Sequence, residues 1–148
     1  VSINAFVNGL FSELLGIVMQ LYLLIALGGA LGSVLRFWLN GIVSAHFGET
    51  FPLGTLVINV TGSFVIGFFS TLTGPDGRWF VPTNGRQFFM TGICGGYTTF
   101  SSFSLQTLLL AQNEEWLKAG RNVVGSVTLC LVAVWLGHLL AATINQLR

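Results

Sequence analysis

Four long stretches of this chain carry no charged residue: 14–35, 50–75, 87–113 and 122–147. A helix needs roughly 20 predominantly apolar residues to cross the ~30 Å hydrocarbon core of a bilayer, and each stretch is long enough. The charged residues fall outside them: Glu13, Arg36, Glu49, Asp76, Arg78, Arg86, Glu114, Glu115, Lys118, Arg121 and Arg148. They make up 7% of the chain, against 53% hydrophobic residues, where an average soluble domain carries about 25% charged residues. Such a composition excludes a water-soluble surface. It predicts an all-α integral membrane protein with four transmembrane helices.

A secretory signal would place a basic flank before a short apolar stretch, and neither occurs at the start of the first span. The two cysteines, Cys94 and Cys130, lie inside apolar stretches without metal-site spacing, which argues against a disulfide framework or redox chemistry. A net charge of +1 offers no basic patch for nucleic acid or anionic lipid.

Four crossings put both termini on one side of the bilayer. Arg78, Arg86 and Arg148 then fall on the terminal side and Arg36, Lys118 and Arg121 on the other. Lys and Arg bias orients a membrane chain, and here it is zero. The balance predicts insertion both ways up, with two oppositely inserted copies pairing about a two-fold axis as an antiparallel dual-topology homodimer. A fixed orientation set by something outside this count is the other reading.

Residues 1–20 are mostly apolar with Asn4, Asn8, Ser12 and Glu13 interspersed, and read either as an interfacial helix or as a lead into the first span. Residues 21–148 form a single four-helix transmembrane domain. Gly28, Gly29 and Gly32 in the first span have the small-residue spacing that lets helix backbones approach in lipid. Trp38, Trp79, Phe80 and Trp116 fall at span ends, where an aromatic belt belongs. In the second span Thr55, Asn59, Gly62 or Ser63, and Gly67 share one helical face, opposite Val57, Val60, Phe64 and Phe68. An unpartnered amide in hydrocarbon costs several kcal/mol, so Asn59 must face protein or water, as an interhelical hydrogen bond or as pore lining.

The third span is a poor helix. Gly95-Gly96 followed by Thr98-Thr99 weakens helical structure, and predicts a break near residues 95–98. Irregular backbone at that depth is tolerated inside protein or beside a watery cavity, where its carbonyls can coordinate a cation; a plain kink without an ion is the alternative. Beyond the break Phe100, Phe103 and Ser104 share a face, either as an apolar packing stripe or with ring edges, the positive rim of the quadrupole, turned to an anion. Asn122, Ser126 and Cys130 form a mildly polar track on the fourth span, continued by Val134. His138 reads as a packed or interfacial histidine rather than a proton relay.

Spans two to four hold no acidic residue, whereas proton-coupled transporters rely on intramembrane carboxylates. The chain also lacks a phosphate-binding loop, an HExxH motif and a GxSxG nucleophile elbow. These absences favour passive conduction over catalysis.

Three segments in order, Gly28-Gly29-Ala30-Leu31-Gly32-Ser33-Val34-Leu35-Arg36, Gly54-Thr55-Leu56-Val57-Ile58-Asn59 and Gly95-Gly96-Tyr97-Thr98-Thr99-Phe100-Ser101-Ser102-Phe103-Ser104, resemble the Fluc, or CrcB, family of fluoride channels. The resemblance covers about 21–147. It implies a multi-pass protein of the inner (plasma) membrane, an antiparallel dual-topology homodimer with two fluoride pores, and a structural sodium ion at the dimer centre. It implies further that Asn59 lines the pore, that Phe100 and Phe103 present ring edges to fluoride, and that Thr55 and Ser104 support them. Ser126 and Cys130 fall on the family's polar track, Arg36 would draw anions into the vestibule, and the carbonyls of Gly95 and Thr98 would hold sodium. Ser102 stands where the family commonly has Thr, Cys130 where Ser is common, and Val134 where some members have Thr.

The function this implies is passive, fluoride-selective efflux that protects against fluoride toxicity, and not an enzyme. Two other classes remain open on the residues: a proton-coupled small multidrug exporter using Glu13, and a structural assembly protein in which every polar stripe serves packing.

Overall fold

The computed structural model describes residues 3–147, and among them every regular element is helical. Helix α1 spans Ile3–Phe47, α2 Leu53–Leu72, α3 Thr83–Gln87, a π-helical segment Phe88–Cys94, α4 Gly95–Tyr97, α5 Phe100–Gln112 and α6 Trp116–Gln146. Helices α1, α2 and α6 are long and apolar enough to cross a membrane. Residues 83–112 are instead divided among four short pieces. Exposed apolar side chains such as Phe37, Leu31, Trp135 and Val124 cover the outside of the bundle, as a lipid-facing surface requires.

Local chemistry explains the ends of these helices. After α1 the chain turns at Gly48, whose φ of +75° is a conformation that favours glycine. At the other end of α2 the Arg86 guanidinium donates to the carbonyl and hydroxyl oxygens of the C-cap residue Thr73. A cation there complements both the orphan carbonyls and the negative end of the helix dipole. Helix α6 begins after a turn in which Glu114 adopts φ +61°, and Lys118 pairs with Glu115 at 2.7 Å.

Glycines set how closely the helices meet. A methyl on Gly67 would strike the Val134 carbonyl, and one on Gly137 the Phe64 carbonyl, so α2 and α6 touch backbone to backbone. Likewise Gly28 lies against Phe88 and Gly92, and Gly32 against Ile93, Gly96 and Tyr97, seating α1 on the π segment and α4. Helices approach in lipid through such small residues because packing, not a hydrophobic drive, holds them together.

The same contacts give depth. Gly54 at the start of α2 meets Asn40 of α1. From Gly54 to Leu72 helix α2 rises about 27 Å, and the same rise counted back along α1 from Asn40 ends near Tyr22. Residues 3–21 therefore continue α1 beyond the end of α2 as unbroken helix. Glu13 stands about 13 Å past that level.

Candidate functional site

Asn59 is the element around which the site is built. Its Nδ2 donates to the Thr99 carbonyl at 3.0 Å, and its Oδ1 accepts the Thr99 N–H at 2.8 Å. The backbone it holds is not helical: Thr98 has φ −80°, ψ 159° and Thr99 φ −154°, ψ 115°. Thr99 then caps α5, its hydroxyl oxygen accepting the Ser102 N–H at 3.2 Å. In an unbroken helix the Thr99 N–H would serve the Gly95 carbonyl and the Ser102 N–H the Thr98 carbonyl. Both donors are diverted, so the carbonyls of Gly95 and Thr98 lose their regular helical partners. Hard oxygen ligands of this kind suit an alkali cation.

Beside this segment lies a cavity of about 380 Å³ walled by α2, α4, the extended pair, α5 and α6. Of the residues singled out in the sequence, Asn59, Phe100, Phe103, Ser126, Cys130, Gly95 and Thr98 line it. Phe103 is buried and Phe100 exposed, their ring centroids 5.2 Å apart and tilted by 51°. Thr55, Ser104 and Arg36 are not on this wall. Thr55 is buried one turn before Asn59, Ser104 is exposed and donates to the Phe100 carbonyl at 2.9 Å, and Arg36 is half-buried on α1. Val134 also lies off the lining, whereas Val127 and Leu131 are on it.

The polar track on α6 is tied into a chain of hydrogen bonds. Ser126 donates to Asn122 Oδ1 at 3.3 Å, Asn122 Nδ2 donates to Thr107 Oγ1 at 2.8 Å, and Thr107 donates to the Phe103 carbonyl at 2.8 Å. Asn122 and Ser126 are both buried. This relay fixes the rotation of α6 against α5 and hence where Ser126 and Cys130 point. His138, exposed, sits 2.9 Å from the Thr71 hydroxyl, away from the cavity.

Sequence reasoning missed Thr99, Thr107 and Gln106. Gln106 follows Phe103 by three residues, on the same face of α5. Its Oε1 is buried without a hydrogen-bond partner, and its side chain lines a second, polar cavity of about 650 Å³ together with Asn40, Ser44, Glu49, Asn113 and Lys118. A buried polar atom left unpaired costs about 1–3 kcal/mol, which marks this end of α5 as a place for water or a ligand. A polar residue one turn past Phe103 was the available signal.

Residues 23–138 match the family described as "CrcB-like protein, Camphor Resistance (CrcB)". Among similar proteins is the "Fluoride-specific ion channel FluC" of Opitutus terrae, 66% identical over 130 residues, which cover 88% of this chain and 98% of that protein. The protein of the same name from Rhodospirillum rubrum is 64% identical over 125 residues, 84% and 97% of the two chains. That of Paramagnetospirillum magneticum is 62% identical over 128 residues, 86% and 100%. With three membrane-length apolar helices and relatives matched over nearly their whole length, this is a multi-pass membrane protein, and the chain belongs to the CrcB-like protein family.

Proposed function

We propose that this chain is a fluoride-selective ion channel giving passive efflux of fluoride and resistance to its toxicity. The observation that carries the reading is the convergence of Asn59, Phe100, Phe103, Ser126 and Cys130 on one cavity, in a chain whose relatives are named fluoride-specific ion channels. It crosses the inner (plasma) membrane four times, residues 83–112 supplying the third crossing with Thr98 and Thr99 as its mid-membrane break. Two copies pair in antiparallel orientation. The exposure of Phe100 on a single chain supports a second copy as the missing wall.

Fluoride is small and strongly hydrated, so the pore must replace water without trapping the ion. Asn59 retains one Nδ2–H beyond its bond to Thr99, because an amide nitrogen carries two. Ring edges of Phe100 and Phe103 supply weaker contact, through the positive rim of the quadrupole. A narrow bore between the two chains disfavours larger anions. Ser126 and Cys130 extend the path along α6, and Gln106 extends it toward the 650 Å³ cavity. Thr55 and Ser104 act from behind the wall, holding α2 and α5, and Arg36 biases the surroundings toward anions.

The freed carbonyls of Gly95 and Thr98, contributed by both copies, would hold a structural sodium ion. When bound it supplies a fixed positive charge that satisfies those oxygens and locks the break. The exporter alternative places its acid at Glu13, which lies on the part of α1 that runs past the end of α2.

Reconstitution into liposomes tests the function. Loss of trapped fluoride, read with a fluoride electrode and without a pH gradient, is the expected result, with chloride retained. Vesicles that keep their fluoride, or that move organic cations in exchange for protons, would overturn it.

A further inference from the structure

The polar cavity of about 650 Å³ has two carboxylates on its wall, Glu49 and Glu115, and among the described residues a single cation, Lys118. It adjoins the cavity of about 380 Å³ along α5, where Gln106 of the first follows Phe103 of the second by one turn. On α6 the track of Asn122, Ser126 and Cys130 recurs every four residues, and Lys118 is the next step outward. From Lys118 to the depth of Ser126 the helix rises about 12 Å. Lys118 Nζ donates to Glu115 Oε1 at 2.7 Å. An ammonium carries three N–H donors, so this bond leaves two for an incoming anion. Glu115 is also the N-cap of α6, yet its side chain caps no N–H; its carboxylate serves Lys118 instead. Arg121 lies with Lys118 and Phe51 around a neighbouring hollow, off the wall of the polar cavity.

We propose that Lys118 admits the anion at this mouth of the path and that Glu115 and Glu49 restrain it, the three charges together setting how fast fluoride enters. The proposal rests on the channel reading and deepens it. An anion approaching Phe103 from this end crosses a cavity whose wall carries more negative than positive charge. Lys118 offers it the two remaining N–H groups, Glu115 cancels part of the ammonium's field at contact distance, and both carboxylates repel it. A cavity of this size holds water beside the ion, so the carboxylates act on the anion through solvent. Their reach is then the Debye length, about 30 Å at 0.01 M ionic strength and about 3 Å at 1 M. The mouth therefore governs entry in dilute solution and fades in concentrated salt. The relay from Ser126 through Asn122 to Thr107 rests on hydrogen bonds between buried or half-buried groups and is screened far less.

Unitary fluoride currents of the full chain in planar bilayers test this, recorded at about 0.01 M and about 1 M ionic strength set with sodium isethionate. In the dilute solution Lys118→Gln should lower the current about two-fold or more, and Glu115→Gln and Glu49→Gln should each raise it by a similar factor. Lys118→Arg, which keeps the charge, should stay close to the unsubstituted chain. In the concentrated salt all four variants should converge on it. Equal currents from Lys118→Gln and the unsubstituted chain in dilute solution, a loss that persists undiminished in concentrated salt, or a fall in current for either carboxylate variant would overturn the proposal. Should Lys118→Gln fail to assemble, the two carboxylate variants decide it alone. An unsubstituted chain that passes no fluoride at either ionic strength would overturn the channel reading, and the proposal with it.

Discussion

Asn59 commits both ends of its amide to the backbone of Thr99, and that commitment separates its two roles. Asn59→Ala leaves a buried N–H and C=O without partners, at roughly 1–3 kcal/mol each. It should lower the thermal midpoint of the purified protein and abolish fluoride flux together, because the backbone it splints relaxes toward helix. A variant with unchanged midpoint but lost flux would show that the amide serves only the ion. The two rings divide differently. Phe103 is buried at 8% exposure and Phe100 is 76% exposed, so Phe103→Ile should cost about 1–2 kcal/mol of stability whereas Phe100→Ile should cost little in the isolated chain. Both should cut flux in the liposome assay, since each removes a ring edge; undiminished flux in either would count against contact between that ring and fluoride. An amide at bilayer depth and two rings one turn apart were visible in the sequence as candidates. That Thr55 and Ser104 stand off the cavity wall was not, because their helical faces are defined only once α2 and α5 are rotated against α6. That rotation depends on bonds such as Asn122 to Thr107, between residues on different helices.

Among the helices, close approach is decided by which glycine meets which backbone. Gly28, Gly29 and Gly32 form one small-residue cluster in the sequence, yet only Gly28 and Gly32 would drive an added methyl into the backbone of residues 88–97. Gly32→Ala should therefore destabilise the bundle by about 1–3 kcal/mol, since the obstacle is the Ile93 carbonyl and the Gly96–Tyr97 backbone rather than a side chain that can rotate. Gly41→Ala, on the same helix with open space around it, should be neutral or stabilise by up to about 1 kcal/mol through helix propensity. Thermal midpoints of the two variants in one detergent check the contrast; equal losses would place the contact elsewhere. The paired glycines at Gly95-Gly96 signalled only that helix is weak there. Where the backbone becomes extended depends on a partner from α2, forty residues away in sequence, which no local pattern reveals. The length of α1 was equally hidden, since residues 1–20 mix apolar and polar positions in a way that suits an interfacial helix as well as a continuation.

In the molecule as a whole, the distribution of basic residues sets orientation. The bundle puts the turns after α1 and after α5 at one end and the turn after α2, with the start of α1 and the end of α6, at the other, so Lys118 and Arg121 lie opposite Arg78 and Arg86; Arg148 lies outside the described residues. With so few basic residues, three added lysines outweigh the existing bias in either direction. Gln112→Lys, Asn113→Lys and Glu114→Lys together alter exposed positions at the first end; Asp76→Lys, Thr83→Lys and Gln146→Lys do the same at the second. Each set should hold the chain in one orientation, which labelling of an introduced surface cysteine from either side of the membrane would read. If the working unit is antiparallel, either set alone should lose fluoride flux and the two expressed together should recover it. Electrostatics would not explain the loss, because lysines beside the 650 Å³ cavity, which Asn113 lines, attract anions rather than repel them. Full activity from one biased chain by itself would instead mean that copies inserted the same way up make the pore, and the exposed face of Phe100 would then need a parallel partner.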